Sequence, residues 1–587
     1  MSVLKKLHDA QSITDVAGIL GFKTKNLAYI LYEQPESLKY KEFVIPKKSG
    51  GTRSIAAPQG GLKLLQRRLA DILQDCLSEI DNNVANDEKS KSFDQISHGF
   101  KRGFSIRTNA KKHRNRRYVF NVDLTDFFGS INFGRVRGFF IKDKRFHLNP
   151  KVATIFAQIA CFRKNLPQGS PCSPVISNLI GNILDMHLVK LAAQTGCTYT
   201  RYADDLTFST NKRCFPRSIA TQSHDNDHVW TAGSELLRLV NHSGFEINPK
   251  KTRMQYCCSR QEATGLVVNK KINVKREYRH NVRAMLHHLF KKGKFFLPEY
   301  KKDENGDYLL EMKPGRLNQL HGRLGFIDSI DRYNIEILSV SNESQIKNKE
   351  TIYRRFLFYK EFYVASMPVL ICEGKTDYTY IDNALRQLVS NYPSLVSLDD
   401  DGKITFAIKR FKDYKSHTAE TLGIKGGVGD LKKFIPTYKS EFNHFLTAPG
   451  MKEPVILLVD NDKAGREVRS VVSNMVKKGN KAKTTIDNDE PYIKVCYNLY
   501  LILTPPQEGQ TESQIEDLFD ASTLGIEIDG KSFNRSDEPA TETTYGKAVF
   551  ARKVVEERAS SINFEGFVPL LDRIAKVIEN HYAQRKE

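Results

Sequence analysis

Thr198-Tyr199-Thr200-Arg201-Tyr202-Ala203-Asp204-Asp205-Leu206-Thr207-Phe208-Ser209 is the stretch that decides the fold of the first half of this chain. Thr198 to Tyr202 and Leu206 to Ser209 are β-rich runs, and Ala203-Asp204-Asp205 between them reads as a hairpin turn carrying two acids. Upstream, Tyr118 to Asp123 (YVFNVD) alternates in polarity and reads as a strand ending on a carboxylate. Between these strands, Ser173-Pro174 suits an N-cap followed by proline, and the apolar series from Val175 runs at helical spacing to Gly196. A strand-end Asp and a hairpin Asp pair can converge on one point. A two-metal site needs that geometry, with carboxylates bridging divalent ions about 3.5–4 Å apart. Asp123 and Asp204 are the expected bridging pair and Asp205 the less essential neighbour. A lone Asp-Asp is more often a solvated turn, so the flanking sequence must carry the assignment.

The 587 residues exceed what one hydrophobic core serves and imply two to four domains, while 40 % apolar and 10 % aromatic content excludes wholesale disorder. The net charge of +22 is unevenly placed: residues 1–360 hold 60 Lys and Arg against 34 Asp and Glu, residues 361–587 hold 30 against 34. A basic first part suggests a module that touches a polyanion. Lys5, Lys6, Asp9 and Asp15 interrupt any export signal, and no run approaches the roughly 18 apolar residues of a membrane span. Nine cysteines without a C-x-x-C pair, Cys257 and Cys258 being adjacent, fit a reduced cytoplasmic protein. The polar stretch Ser339 to Glu350 reads as a linker, and Thr351 to Ala365 as a connecting helix.

Three blocks together resemble the reverse transcriptases. Arg201-Tyr202-Ala203-Asp204-Asp205 is similar to their Y-x-D-D box, and Asn121-Val122-Asp123-Leu124-Thr125-Asp126-Phe127-Phe128 to their first catalytic block. Leu166-Pro167-Gln168-Gly169-Ser170-Pro171-Cys172-Ser173-Pro174 resembles the P-Q-G-x-x-x-S-P block, which places Gln168 under the template and incoming nucleotide. The resemblance implies a right-hand polymerase of fingers, palm and thumb, with two Mg²⁺ at Asp123, Asp204 and Asp205 and dNTPs as substrates. Phe128 takes the position that excludes a 2′-hydroxyl, with core packing as the alternative. Within Gly244 to Thr252, Lys251 either protonates the leaving pyrophosphate or contacts a phosphate. Ile45 to Arg53 resembles the fingers hairpin, whose Arg53 grips the triphosphate more credibly than Lys47 or Lys48.

Asn109-Ala110-Lys111-Lys112-His113 matches the N-A-x-x-H signature of retron enzymes. Ala263-Thr264-Gly265 departs in its first residue from their V-T-G. Asn109, Lys111, Lys112, His113 and Arg114 are therefore expected to bind RNA, in a segment (101–150) with 13 basic and 3 acidic residues. Lys270, Lys271, Lys275, Arg276, Arg279 and Arg283 would let the thumb track a duplex. Membership implies a bacterial enzyme that primes from a 2′-hydroxyl of its own non-coding RNA and copies part of it into single-stranded DNA.

The second half carries another acid set. An apolar strand at 369–372 ends on Glu373, followed by Gly374-Lys375-Thr376-Asp377 and an amphipathic helix from about Tyr378. Pro454 to Val459 is a second buried strand, delivering Asp460-Asn461-Asp462. Glu, then D-x-D about 85 residues later, each at the carboxyl end of an apolar strand, resembles the Toprim fold, an α/β domain with a parallel sheet. That resemblance implies one or two Mg²⁺ on Asp460 and Asp462, with Glu373 as a further ligand or acid/base. Asp377, Glu516 and Lys547 are additional candidates; helix capping or a solvent salt bridge are the alternatives for Glu516 and Lys547. Lys425 to Gly429 resembles a glycine turn of that fold.

The expected organisation is α/β and α+β multidomain: fingers and palm at 1–265, thumb at 266–338, linker and connecting helix at 339–366, and a Toprim nuclease-like domain with a C-terminal extension at 367–587. Such a fusion implies anti-phage defence, with the non-coding RNA, its DNA copy and a nucleic-acid target of the Toprim half as partners. It implies no membrane partner and leaves homo-oligomerisation open. The rivals are a mobile-element reverse transcriptase with an appended endonuclease, and a catalytically silent Toprim binding module.

Overall fold

The computed structural model describes residues 2–46, 51–84, 96–222, 229–302, 308–338, 343–399, 401–411, 416–479, 490–536 and 541–585. Contacts group the chain into two compact units, Met1–Arg276 with Ile330–Ser339, and Glu277–Ser329 with Val340–Glu587.

The first unit is built on a four-stranded antiparallel sheet in the order Thr198–Tyr202, Asp205–Thr210, Tyr118–Leu124, Ile247–Tyr256. The alternation read in 118–123 has its expected result: Phe120 and Val122 pair with Phe208 and Leu206 and turn one face into a core shared with Ile180, Leu184 and Leu188 of the helix Ser173–Thr195. That helix starts one residue earlier than the sequence suggested. Cys172 holds the cap position, Ser173 is already helical, and the Ser173 hydroxyl donates instead to the Pro167 carbonyl at 2.8 Å. The helix ends as expected at Gly196, in a left-handed conformation. It also meets the length and hydropathy of a membrane span, which the sequence reading had not recognised; here most of that apolar window is buried inside the protein.

The hairpin Tyr40–Pro46 and Thr52–Pro58 sets Arg53 opposite Ile45, while Lys47, Lys48, Ser49 and Gly50 lie outside the described residues. Its Ala56 amide donates to the Gln168 carbonyl at 2.9 Å, bringing the Pro167-Gln168-Gly169 segment alongside.

The second unit contains a five-stranded sheet in the order Lys409–Arg410, Val369–Cys372, Val455–Val459, Leu499–Leu503, Ile493–Cys496. All neighbours are parallel except the last pair. The central strands are apolar throughout, as a sheet buried on both faces requires. Gly426 and Gly427, both at positive φ, form the anticipated glycine turn before the helix Val428–Phe442, and the Gly427 amide donates to the Glu373 carbonyl at 3.1 Å.

Two boundaries differ from the sequence reading. The helix Glu343–Phe358 begins inside the stretch read as a linker, of which Ser339, Val340, Ser341 and Asn342 lie outside the described residues. Its Glu, Gln and Lys residues are good helix formers, so low apolar content did not mean an extended chain. Residues 277–329, expected to stand apart as part of a thumb, group with the C-terminal half. Phe290 packs against Tyr359 and Phe445, and Asp328 pairs with His417 at 2.6 Å.

Candidate functional site

The strand register assembles the first acid set. Asp123 lies directly opposite Asp205 on one side and Asn248 on the other, and the Leu124 amide donates to the Asp204 carbonyl at 3.0 Å. Ala203, at φ 55°, makes the two-residue turn that presents Asp204. The three carboxylates line a cleft of about 1540 Å³, whose other walls include Arg53, Phe128, Gln168 and Lys251. All seven residues assigned to polymerase chemistry from sequence thus face one cavity.

The electrostatics are those of a site short of positive charge. Desolvation, then Asp123, raises the Asp204 carboxyl above its usual range, while desolvation, then Asp204 and Asp123, pushes Asp205 up to about 6. Asp123 is buried; its Oδ2 accepts from Lys251 Nζ at 2.8 Å and its Oδ1 from Asn248 Nδ2 at 3.3 Å. The hydrogen bond to Asp123 raises the Lys251 ammonium in turn. Among the described residues no three His, Cys, Asp or Glu side chains already stand in metal-ligating geometry. Asp123 spends its oxygens on protein donors, and the Lys251 ammonium provides the positive charge this donor set attracts. A divalent ion fits that chemistry.

The Ala203–Asp204 turn is held from behind by Arg201, which is fully buried. Its guanidinium grips Asp185 through Nη2–Oδ2 at 2.7 Å and Nε–Oδ1 at 2.9 Å, and its Nη1 donates to the Ala203 carbonyl at 3.2 Å. Tyr199 adds its hydroxyl to Asp185 at 2.8 Å. Glycine is required at 181 for this packing, because a Cβ there would lie 2.8 Å from Arg201 Cζ.

The signature at 109–113 is not the RNA-contacting surface expected of it. Asn109 and His113 are both fully buried, so neither can touch RNA directly. They lie on the inward side of the helix Ile106–Lys112 and its C-cap, and only the basic residues of that segment reach the surface: Lys111 is exposed, Lys112 and Arg114 half-buried. Neither Asn109 Oδ1 nor Nδ2 has a hydrogen-bond partner among the described residues. The Ala263-Thr264-Gly265 turn, distant in sequence, reaches the same helix: Thr264 Oγ1 donates to the Ile106 carbonyl at 3.3 Å.

The second acid set lies at the carboxyl ends of adjacent parallel strands. The Glu373 amide donates to the Leu458 carbonyl at 3.0 Å, and the Asp460 amide to Glu373 Oε2 at 3.4 Å. Asp377 and Glu516, both buried, join them. Desolvation, then repulsion from Asp377, Glu516 and Glu373, pushes Asp460 up to about 8, and desolvation first raises Asp377 and Glu516 as well. Lys547 pairs with Glu516 at 3.4 Å. The additional candidates Asp377, Glu516 and Lys547 therefore converge with Glu373 and Asp460. Asp462 Oδ1 accepts from the Gly465 amide at 2.8 Å, so this carboxylate also caps the helix Lys463–Gly479. The crowded, mutually repelling carboxylates suit a divalent cation here too.

Sequence reasoning missed Phe100, Asn248 and the Arg201–Asp185 pair. Phe100 lines the cleft, exposed, at φ 58° and 6.3 Å from Phe128, a backbone state that no sequence pattern marks for phenylalanine. Asn248 lay within a recognised block without a role, and pairing an Arg with an Asp sixteen positions earlier requires the fold.

Residues 45–296 match the reverse transcriptase (RNA-dependent DNA polymerase) family. The retron Mx65 reverse transcriptase of Myxococcus xanthus is 34 % identical over 293 residues, 46 % of this chain and 62 % of that protein. The retron Mx162 reverse transcriptase of the same organism is 32 % identical over 355 residues, 55 % and 65 % of the two chains. The retron Ec86 reverse transcriptase of Escherichia coli is 29 % identical over 293 residues, 49 % and 80 %. The matched region thus spans a little under two thirds of the two Myxococcus relatives. Among solved structures, a Candida albicans telomerase aligns over 70 % of this chain and 66 % of that chain with 11 % identity and a TM-score of 0.29, too low to carry an inference. Residues 45–296, which carry the acid-lined cleft, are thus similar to the reverse transcriptases, those of retrons among them.

Proposed function

We propose that the protein is a retron-type RNA-directed DNA polymerase that copies part of its own non-coding RNA into single-stranded DNA, primed from a 2′-hydroxyl. The observation that carries this reading is the register that sets Asp123 against Asp205, with Asp204 at the adjoining turn, in one cleft with Arg53, Gln168 and Lys251. Asp123, Asp204 and Asp205 would hold two Mg²⁺ ions, which when bound activate the primer hydroxyl and neutralise the leaving pyrophosphate. Arg53 is suited to grip the triphosphate through its planar fork. Phe128, half-buried at the cleft wall, fills the space a ribose 2′-hydroxyl needs. Lys251, kept protonated by Asp123, is a proton donor or phosphate contact for the leaving group. The contact of the 263–265 turn with the 106–112 helix favours the retron reading over a mobile-element enzyme, because it makes one structural unit of the two retron-like signatures.

The C-terminal unit we read as a Toprim-like nuclease acting as the effector of a bacterial anti-phage system. Glu373, Asp460 and Asp462, with Asp377 and Glu516 beside them, would hold one or two Mg²⁺ that activate water at a phosphodiester. Lys547, paired to Glu516, is placed to contact a phosphate. Clustered, mutually repelling carboxylates are a poor design for a silent binding module.

Sequencing the nucleic acid that co-purifies with the chain tests the first reading. A branched RNA–DNA molecule is the expected result, and linear cellular RNA alone would refute it. For the second, Glu373→Gln should leave DNA synthesis intact and abolish Mg²⁺-dependent cleavage and phage protection. Full protection by that variant would refute the effector assignment.

A further inference from the structure

His113 ends the helix that carries the retron-like signature, and it is wholly inside the protein. Its Nδ1 lies 2.8 Å from Ser209 Oγ and its Nε2 2.7 Å from Thr200 Oγ1. Those hydroxyls belong to different strands of the hairpin that bears the catalytic turn. Thr200 pairs with Thr207 and Ser209 with Thr198, so the two are diagonal neighbours on one sheet face. Tyr202 and Asp205 lie on that same face, at two and four residues' distance along their strands. Asp205 in turn sits opposite Asp123.

An imidazole with one donor and one acceptor nitrogen matches two hydroxyls in either tautomer, because each hydroxyl can donate or accept. Burial, then Arg116 and other nearby positive charge, holds this histidine down at about 3, so it stays neutral. An apolar side chain there would leave two buried hydroxyls without their partner. The layer continues beside it, where Thr207 Oγ1 donates to Asn121 Oδ1 at 3.1 Å, two residues before Asp123.

We propose that His113 is a positioning residue for polymerisation: by bridging Thr200 and Ser209 it locks the two strands that carry Asp204 and Asp205, and the signature acts on the catalytic turn from inside the sheet. This rests on the polymerase reading above. It assigns the histidine to catalysis at any template, whereas RNA recognition falls to the exposed basic residues of the same segment.

The test uses the full chain on an unrelated primed RNA template, with His113→Phe and, separately, the Thr200→Val/Ser209→Ala pair, which removes only the two hydroxyls. Both should lower kcat by roughly tenfold to a hundredfold, the scale expected of ångström-level misplacement of reacting groups. Both should raise the Mg²⁺ concentration needed for half-maximal rate and leave RNA affinity within about twofold, because phosphate contacts spread over the basic surface set that affinity. His113→Gln, able to serve one hydroxyl, should recover part of the rate. A wild-type kcat in the variants, or a large loss of RNA affinity with kcat retained, would overturn the strut. A double-mutant cycle between His113→Phe and Ser209→Ala on unfolding free energy needs no activity: coupling supports the bridge and additivity refutes it. Absence of DNA synthesis by the unaltered chain would instead strike the polymerase reading.

Discussion

Arg201→Met should destabilise the first unit by about 3 kcal/mol, and the figure follows from its surroundings. Breaking a buried ion pair costs about 3–5 kcal/mol, because the surviving charge is stranded without water. Asp185 would be that charge, its side chain 2 % exposed. It keeps one donor, the Tyr199 hydroxyl at 2.8 Å, which places the loss at the lower end of the range. Against a domain stability of about 5–15 kcal/mol, this remains a large fraction. Adding Asp185→Leu to Arg201→Met removes the stranded carboxylate and should restore stability to within about 1 kcal/mol of the original. DNA synthesis should not return with it, because the Ala203 carbonyl still lacks the Nη1 donor that fixes the catalytic turn. The chain offers a clean probe: its single tryptophan, Trp230, lies in the first unit and donates to Tyr256 Oη at 2.7 Å. Urea titration followed by tryptophan fluorescence therefore reports this unit. A loss under about 1 kcal/mol for the single variant would refute the reasoning, since breaking a truly buried pair costs more than that. A double variant as unstable as the single would refute it too.

Phe128→Ala should admit ribonucleotides, lowering the kcat/KM preference for dNTP over rNTP; an unchanged ratio in steady-state incorporation would return Phe128 to a packing role. Asp460 supplies a pH dependence. Its carboxyl, pushed up to about 8 in the folded chain, holds a proton that the unfolded chain releases near pH 4. Its contribution to stability is therefore full below about pH 4 and is lost as pH rises through about 8. In metal-free buffer the C-terminal unit should weaken from pH 5 to 8.5, Asp460→Asn should flatten that slope, and Mg²⁺ should stabilise more at the alkaline end. Calorimetric scans showing the same slope in Asp460→Asn would contradict the assignment.

The acid-bearing hairpin was legible because its signals are local. Strand alternation fixes which face Asp123 and Asp205 share, and a two-residue turn fixes where Asp204 points. The glycine turn at 426–427 and the apolar strands ending on Glu373 and Asp460 were legible for the same reason. What stayed hidden depends on partners far along the chain. His113 reads as surface because Lys111, Lys112 and Arg114 surround it, while the hydroxyls that bury it lie 87 and 96 residues away. Asp462 reads as a metal ligand in a D-x-D pattern, and the cap that its Oδ1 also gives the following helix emerges only from the fold. Asp377 and Glu516 converge with Asp460 across more than 50 residues of chain on either side, a distance no spacing rule spans.

Primer extension with the purified chain tests the central claim most directly. The assay supplies a primed RNA template, labelled dNTPs and Mg²⁺, and compares the unaltered chain with Asp204→Ala. The account requires a DNA product from the first and none from the second, with RNA affinity equal in both because it comes from the distributed basic surface. Normal DNA yield from Asp204→Ala would show that the carboxylates of the 198–210 hairpin are not the catalytic centre.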